Sequence, residues 1–156
     1  LLISILIFHP VDGLLFLAAF IPLRTTAGGY HANSHLSCNL VFLGTFIVLE
    51  GLGYWLQEYC TVHLYLTIAV ISLVTLLILS PSEAKNKPLT PERRRRNRRR
   101  SLILGGLNLV IGIILIWGLQ APAPWCTSYY LGVIAASISM WAAQIKERCV
   151  CNESDG

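Results

Sequence analysis

The sequence predicts an all-α, polytopic integral membrane protein with about six membrane segments and a polar segment at the cytoplasmic face. Hydrophobic residues make up 54% of the 156 residues and charged residues only 13%, whereas the surface of a soluble domain needs more charge. Nine of the twelve lysines and arginines lie between Lys85 and Arg100, which is typical of one basic loop between apolar spans. We therefore expect a single membrane-embedded domain over residues 1–156.

The apolar segments set the expected helices. A membrane-spanning helix needs about 20 apolar residues, in a range of about 17 to 25, and the last four segments fit or nearly fit that length. The chain begins without methionine inside an apolar run, so we expect the first segment to be incomplete. The second has only ten residues, which predicts a short or tilted span or a re-entrant piece. In order, the segments are Leu1–Phe8, Leu14–Leu23, Leu40–Leu56, Leu64–Leu79, Leu102–Leu119 and Tyr129–Ile145.

The basic segment sets the expected orientation. Lysine and arginine are enriched in cytoplasmic loops, so we place the basic loop at residues 81–101 in the cytoplasm. Alternation then places residues 24–39 and the tail at residues 146–156 in the cytoplasm, and residues 57–63 and 120–128 outside. Arg24, Lys146 and Arg148 fall on the cytoplasmic side without having been used in the assignment.

The stretch RTTAGGYHANSHLSC, from Arg24 to Cys38, is polar and broken by glycines between two apolar segments. One interpretation is a simple turn between two helices, but polar groups at membrane depth are costly and tend to be functional. A thiol becomes a nucleophile when a nearby imidazole removes its proton. In one unbroken helix His31 and Cys38 would be about 10.5 Å apart, whereas His35 would meet Cys38. Geometry alone does not choose between the two histidines.

Two further interpretations of the stretch stay open. His31, His35 and Cys38 fall on one helical face, and all three could be zinc ligands, although no fourth ligand lies nearby. A small transporter or peptide exporter without covalent chemistry is the other alternative, but transporters show broken helices in matched halves. Here the glycine-broken polar stretch occurs in one half only. Glu50, three turns beyond Cys38, is expected nearer the opposite face.

The polar stretch carries a family resemblance. Arg24, then Ala27-Gly28-Gly29-Tyr30-His31, then Cys38 after six intervening residues, resembles the signature of the accessory gene regulator B (AgrB) family, membrane cysteine endopeptidases of bacterial quorum sensing. The run from Pro81 to Leu89 is similar to the family's proline-containing basic loop. The resemblance extends over most of the chain, including the number and order of spans.

The resemblance implies a specific activity. The family cleaves the C-terminal tail of a small AgrD-like peptide precursor, and its catalytic pair matches Cys38 and His31 in this chain. Arg24, Gly28 and Gly29 match supporting positions. No cofactor is implied. The expected location is the bacterial cell membrane, with the active site facing the cytoplasm.

The arginine run has two interpretations as well. It can set topology and bind anionic headgroups, or it can attract the acidic tail that the family's precursors usually carry. The expected partners are therefore an AgrD-like precursor and the bilayer, with a homodimer left open; nucleic acid is not expected beside apolar spans. Cys60 and Cys126 both fall in predicted outer loops, where a disulfide is conceivable. The substrate-binding candidates are Arg93, Arg94, Arg95, Arg96, Arg98, Arg99 and Arg100.

Overall fold

The computed structural model describes residues 9–28, 35–59, 61–81 and 90–154. This part of the chain contains five helices long and apolar enough to cross a membrane, and it contains no β-strand. The predicted all-α membrane fold is therefore confirmed, with five spans rather than about six. The first expected segment, residues 1–8, lies outside the described residues. The helices are α1 (Pro10–Ala27), α2 (His35–Leu56), α3 (Val62–Leu79), α4 (Pro91–Ile113) and α5 (Ala123–Ser154).

Helix α1 corrects the expectation of a short or re-entrant second segment. It has 18 residues because Pro10 opens it, where a missing N–H costs nothing, and because it continues through Pro22. After Pro22, the Thr26 hydroxyl donates to the Pro22 carbonyl at 2.9 Å, which satisfies a backbone acceptor inside the helix. The helix ends at Gly28, whose φ of +80° is a conformation that other residues rarely adopt.

Helix α4 shortens the expected basic loop. Thr90 caps the helix by accepting a hydrogen bond from the Arg93 N–H at 3.4 Å, and Pro91 and Glu92 occupy the first turn. The seven arginines therefore lie on the opening turns of α4, and all are exposed. Residues 82–89 lie outside the described part of the chain. Most of the expected tail at residues 146–156 is also helical, because α5 continues to Ser154.

The span of α4 closes with a π-helical turn over Ile114–Gly118. The continuous helical stretch Pro91–Gly118 has 28 residues, or about 42 Å at 1.5 Å per residue. The hydrocarbon core of a bilayer is only about 30 Å thick. The arginine-bearing turns of α4 therefore extend beyond the apolar part of the helix.

Helix α5 is the centre of the bundle and packs most extensively against α1. At Gly132 the two backbones meet so closely that an added Cβ would collide with the carbonyl oxygen of Phe16, and it would lie 3.1 Å from the Ala19 Cβ. Small residues allow this close approach, as they do at other helix interfaces in membranes. Ala135 and Ala136 continue the buried face of α5.

Successive helices alternate in direction, which gives the bundle two chemically different ends. At the first, which we call the thiol end, Arg24 meets Cys38, and Ser80 after α3 forms a hydrogen bond with Ser101 of α4. At the second, which we call the acidic end, Asp12, Glu50 and Ser128 line one pocket. Since Ser101 directly follows the arginine run, the run belongs to the thiol end.

Candidate active site

Cys38 lies in the first turn of α2, and its half-buried thiol faces α1. Arg24, in the last turn of α1, donates through Nη2 to Cys38 Sγ at 3.6 Å. The guanidinium carbon also lies 5.7 Å from the centre of the Phe20 ring, which is a cation–π distance. One arginine, held on an aromatic ring, is thereby directed at the only thiol described at this end of the bundle.

Two positive features lie beside the Cys38 sulfur. The unpaired N–H groups at a helix N-terminus carry a partial positive charge, and Cys38 lies within that first turn of α2. The Arg24 guanidinium adds a full positive charge and a hydrogen-bond donor. Reactive cysteines in proteins lie in partly exposed, electropositive surroundings of this kind.

The thiol opens into an apolar cleft between α1, α2 and α5. The cleft has a cavity volume of about 90 Å³, several times the about 10–15 Å³ that one water molecule needs, so it has room for a side chain. Its polar hydroxyls are already engaged, since Thr45 donates to the Val41 carbonyl at 2.8 Å and Ser139 donates to the Ala136 carbonyl at 2.9 Å. The lining residues are Phe20, Arg24, Cys38, Val41, Phe42, Thr45, Ala135, Ile138, Ser139 and Ala142.

The other site residues predicted from the sequence are placed unequally. Gly28 ends α1 four residues after Arg24 and adopts the positive φ already noted. Gly29 and His31 lie outside the described residues, and so does the side chain of His35. The histidine partner of Cys38 therefore stays a prediction, and the zinc interpretation, which needs both histidines, stays one too. Among the described residues, no three His, Cys, Asp or Glu side chains cluster as a metal site.

The α5 wall of the cleft is the part that sequence reasoning missed. Ala135, Ile138, Ser139 and Ala142 lie about 100 residues after Cys38 along the chain, although all five line one cleft. Their only sequence signal is spacing: they fall at positions i, i+3, i+4 and i+7, which places them on one helical face. Nothing in that spacing tells which helix the face covers.

The cysteine predicted at the outer loops has a different environment. Cys126 lies in the first turn of α5 rather than in a loop, it is only 3% exposed, and it is a free thiol. Its Sγ donates to the Ala121 carbonyl at 3.8 Å. Cys60, the partner considered for it, lies outside the described residues. A disulfide at Cys126 is therefore absent from the described structure.

The fold and the cleft together define a polytopic membrane protein with an arginine-paired thiol at one end of a helical bundle. Comparison with known proteins places the chain in a family: the model of the accessory gene regulator B family matches residues 1–143. The chain belongs to the AgrB family.

Individual relatives agree with this assignment. The chain is 30% identical over 138 residues to the accessory gene regulator protein B of Staphylococcus haemolyticus, covering 86% of this chain and 68% of that protein. It is also 30% identical over 107 residues to a putative AgrB-like protein of Clostridium acetobutylicum, covering 67% of this chain and 49% of that protein. No solved structure matches the chain. Family membership supports a role in accessory gene regulator quorum sensing, while nothing in the comparisons supports a homodimer.

Proposed function

We propose that this chain is a membrane cysteine endopeptidase that removes the C-terminal tail of an AgrD-like autoinducing peptide precursor. The contact that carries the proposal is the hydrogen bond from Arg24 to Cys38 Sγ at the mouth of the apolar cleft. Family membership supports the substrate class. In this proposal His31 is the general base, as its match to the family's catalytic histidine implies.

The reaction proceeds in two transfers of one acyl group. His31 takes the proton of Cys38, and the thiolate attacks the scissile carbonyl while Arg24 stabilises the charged sulfur. The C–N bond breaks, the leaving amine takes the proton from His31, and a thioester to Cys38 remains. A thiol or hydroxyl within the same peptide then attacks the thioester, its proton passes through His31 to the departing Cys38 sulfur, and a thiolactone or lactone ring closes. No cofactor takes part in these steps.

The apolar cleft supports ring closure over hydrolysis. Walls from three helices reduce the access of water to a thioester at Cys38, and they hold an apolar side chain of the peptide beside it. Intramolecular attack in a fixed geometry can have an effective molarity of about 10⁵ M or more. The acyl-enzyme also retains much of the free energy of the peptide bond, so closure needs no ATP.

The arginine run supports binding of an acidic tail from the cytoplasm. Seven like charges on the opening turns of α4 repel one another, and among the described residues Glu92 is the acidic side chain in the first turn of the helix. An anionic peptide tail relieves that repulsion, as do anionic lipid headgroups. Because lysine- and arginine-rich ends face the cytoplasm, the proposal places the thiol end there.

Co-expression with an AgrD-like precursor encoded nearby, followed by mass spectrometry of the peptide, tests the activity. We expect the native chain and the His35→Ala variant to cleave, and the Cys38→Ser and His31→Ala variants to lose cleavage. The matched control for the nucleophile is Cys126→Ser, which removes a free thiol at the other end of the bundle and leaves cleavage intact. Cleavage by Cys38→Ser equal to that of the native chain would refute the proposal and favour a transporter.

The role of the arginine run needs its own experiment. Replacing Arg95, Arg96 and Arg99 with glutamine should raise KM for the precursor more than it lowers kcat, because the charges attract the substrate without touching the scissile bond. The difference from the native chain should shrink between 50 mM and 500 mM salt, because salt screens exposed charges. An unchanged KM at low salt would leave the run with a role in topology alone.

A further inference from the structure

The acidic end of the bundle contains a pocket that the proposed peptide chemistry does not use. It lies between the first turn of α1, the last turns of α2 and the first turns of α5, and it has a cavity volume of about 20 Å³. Since a cavity of about 10–15 Å³ holds one water molecule, the pocket has room for one water-sized group such as a single cation. The pocket is lined by Asp12, Glu50, Gly53, Tyr54, Gln57, Pro124, Thr127 and Ser128.

Two carboxylate oxygens in this pocket are buried without a hydrogen-bond partner. Glu50 is only 4% exposed; its Oε2 accepts a hydrogen bond from Ser128 Oγ at 2.8 Å, whereas its Oε1 has no donor among the described residues. Asp12 Oδ1 is buried in the same way. Buried polar atoms in native proteins nearly always have a partner, so these two oxygens point to a bound group.

The charge of the pocket indicates the sign of that group. The lining residues include two carboxylates and no lysine or arginine. His9, which is exposed at the start of α1 and outside the pocket lining, is close enough to Asp12 to interact with it electrostatically. Two neighbouring carboxylates at the edge of a bilayer are costly to keep charged without a counter-ion.

The ligand atoms in the pocket indicate which class of cation it would bind. The pocket presents carboxylate, hydroxyl and amide oxygens, and its lining contains neither a cysteine nor a histidine. Hard cations prefer oxygen ligands, and Ca²⁺ accepts six to eight of them in flexible geometry with water completing the shell. We propose that this pocket binds a hard divalent cation, Ca²⁺ in preference to Mg²⁺, between the carboxylates of Asp12 and Glu50.

Direct binding of calcium to the full chain tests the proposal. The purified protein in nanodiscs of zwitterionic phosphatidylcholine is titrated with ⁴⁵Ca²⁺, with Mg²⁺ and Na⁺ as competitors. We expect saturable binding of about one Ca²⁺ per chain, weakened at least about 10-fold by Asp12→Asn or by Glu50→Gln, because ligand charge sets affinity in such sites. The matched control is Glu58→Gln, which removes an exposed carboxylate beyond the end of α2 that does not line the pocket.

Each outcome of the titration has a defined meaning. Absence of saturable binding to the native chain overturns the proposal, because the native measurement needs no variant to fold. An equal loss in Glu58→Gln and Asp12→Asn also overturns it, because binding would then follow general surface charge. If Glu50→Gln does not give a monodisperse protein, the test uses Asp12→Asn alone, because Asp12 is only half buried. Ca²⁺ should then raise the Tm of the native chain by about 5 °C and should not raise the Tm of Asp12→Asn.

Discussion

The two ends of the bundle hold their polar groups in opposite ways. At the thiol end a cation reaches a sulfur, since Arg24 donates to Cys38 inside an open apolar cleft. At the acidic end two carboxyl groups line one pocket, and among the described residues the Ser128 hydroxyl is the donor to Glu50. The thiol end therefore pairs a nucleophilic atom with a positive charge, whereas the lining of the acidic end contains two carboxyl groups and no lysine or arginine.

The difference in thiol reactivity between the ends is the largest effect we expect. Cys38 is half buried beside a guanidinium, whereas Cys126 is 3% exposed and directed at a backbone carbonyl. Iodoacetamide should modify Cys38 at least about 100-fold faster than Cys126, because thiolate character and exposure control the rate. Peptide mapping by mass spectrometry distinguishes the two sites, and similar rates would refute the contrast.

The packing of α5 on α1 joins the two ends, so its disruption should affect both. Gly132→Ala places a methyl group against the Phe16 carbonyl and should cost about 2 kcal/mol in the free energy of unfolding, because the backbones must separate. Titration with a denaturing detergent measures this change in the free energy of unfolding. The matched control is Gly106→Ala on α4, where a Cβ meets nothing within 4 Å, and where no destabilisation is expected.

Removing the cation at the thiol end should lower the reactivity of Cys38 without unfolding the bundle. Arg24→Met should slow alkylation of Cys38 about 10-fold, because a hydrogen bond to a charged group contributes about 1.5–3 kcal/mol. Arg24→Lys should recover part of the rate through its charge. The control is Thr25→Ala, which changes a neighbouring exposed residue. Equal alkylation rates of Cys38 in Arg24→Met, Arg24→Lys and Thr25→Ala would mean that Arg24 does not stabilise the sulfur.

Two neighbouring tyrosines between the ends give the smallest expected effect. Tyr129 donates through its hydroxyl to Asn108 Oδ1 at 2.7 Å, so Tyr129→Phe should cost about 1 kcal/mol in unfolding free energy. The Tyr130 hydroxyl is buried without a hydrogen-bond partner among the described residues, so Tyr130→Phe should be neutral or stabilising. The same detergent titration compares them, and an equal cost for both would contradict the hydrogen-bond assignment.

The sequence predicts the ends of this molecule better than its interior. Composition and apolar runs are sufficient for an all-α membrane fold, since segment length and charge decide insertion. The motif around Cys38 predicts a supporting role for Arg24, and in the structure Arg24 donates a hydrogen bond to Cys38 Sγ. The extent of α1 was missed because Pro22 and Asp12 interrupt its apolar run, whereas the helix accommodates both.

Contacts between distant segments could not be read from the sequence. Ser139 and Ala142 complete the cleft at Cys38, and Ser128 bonds Glu50, but each pair is separated by about 80 residues or more. Hydrophobic periodicity identifies a buried face without naming the helix that covers it. The opening of α4 at Pro91 was assigned to a loop because seven arginines mask its helical pattern.

The close pairing of α1 with α5 has a consequence for biosynthesis. α5 begins roughly 100 residues after α1 ends, and at ~5–20 residues per second a ribosome needs about 5–20 s to synthesise that interval. During this time the face of α1 that packs against Gly132 lacks its partner helix, and Glu50 lacks the hydrogen bond from the Ser128 hydroxyl. The nascent chain must therefore keep α1 and α2 inserted without their final partner, and the bundle can close only when its last described helix leaves the translocon.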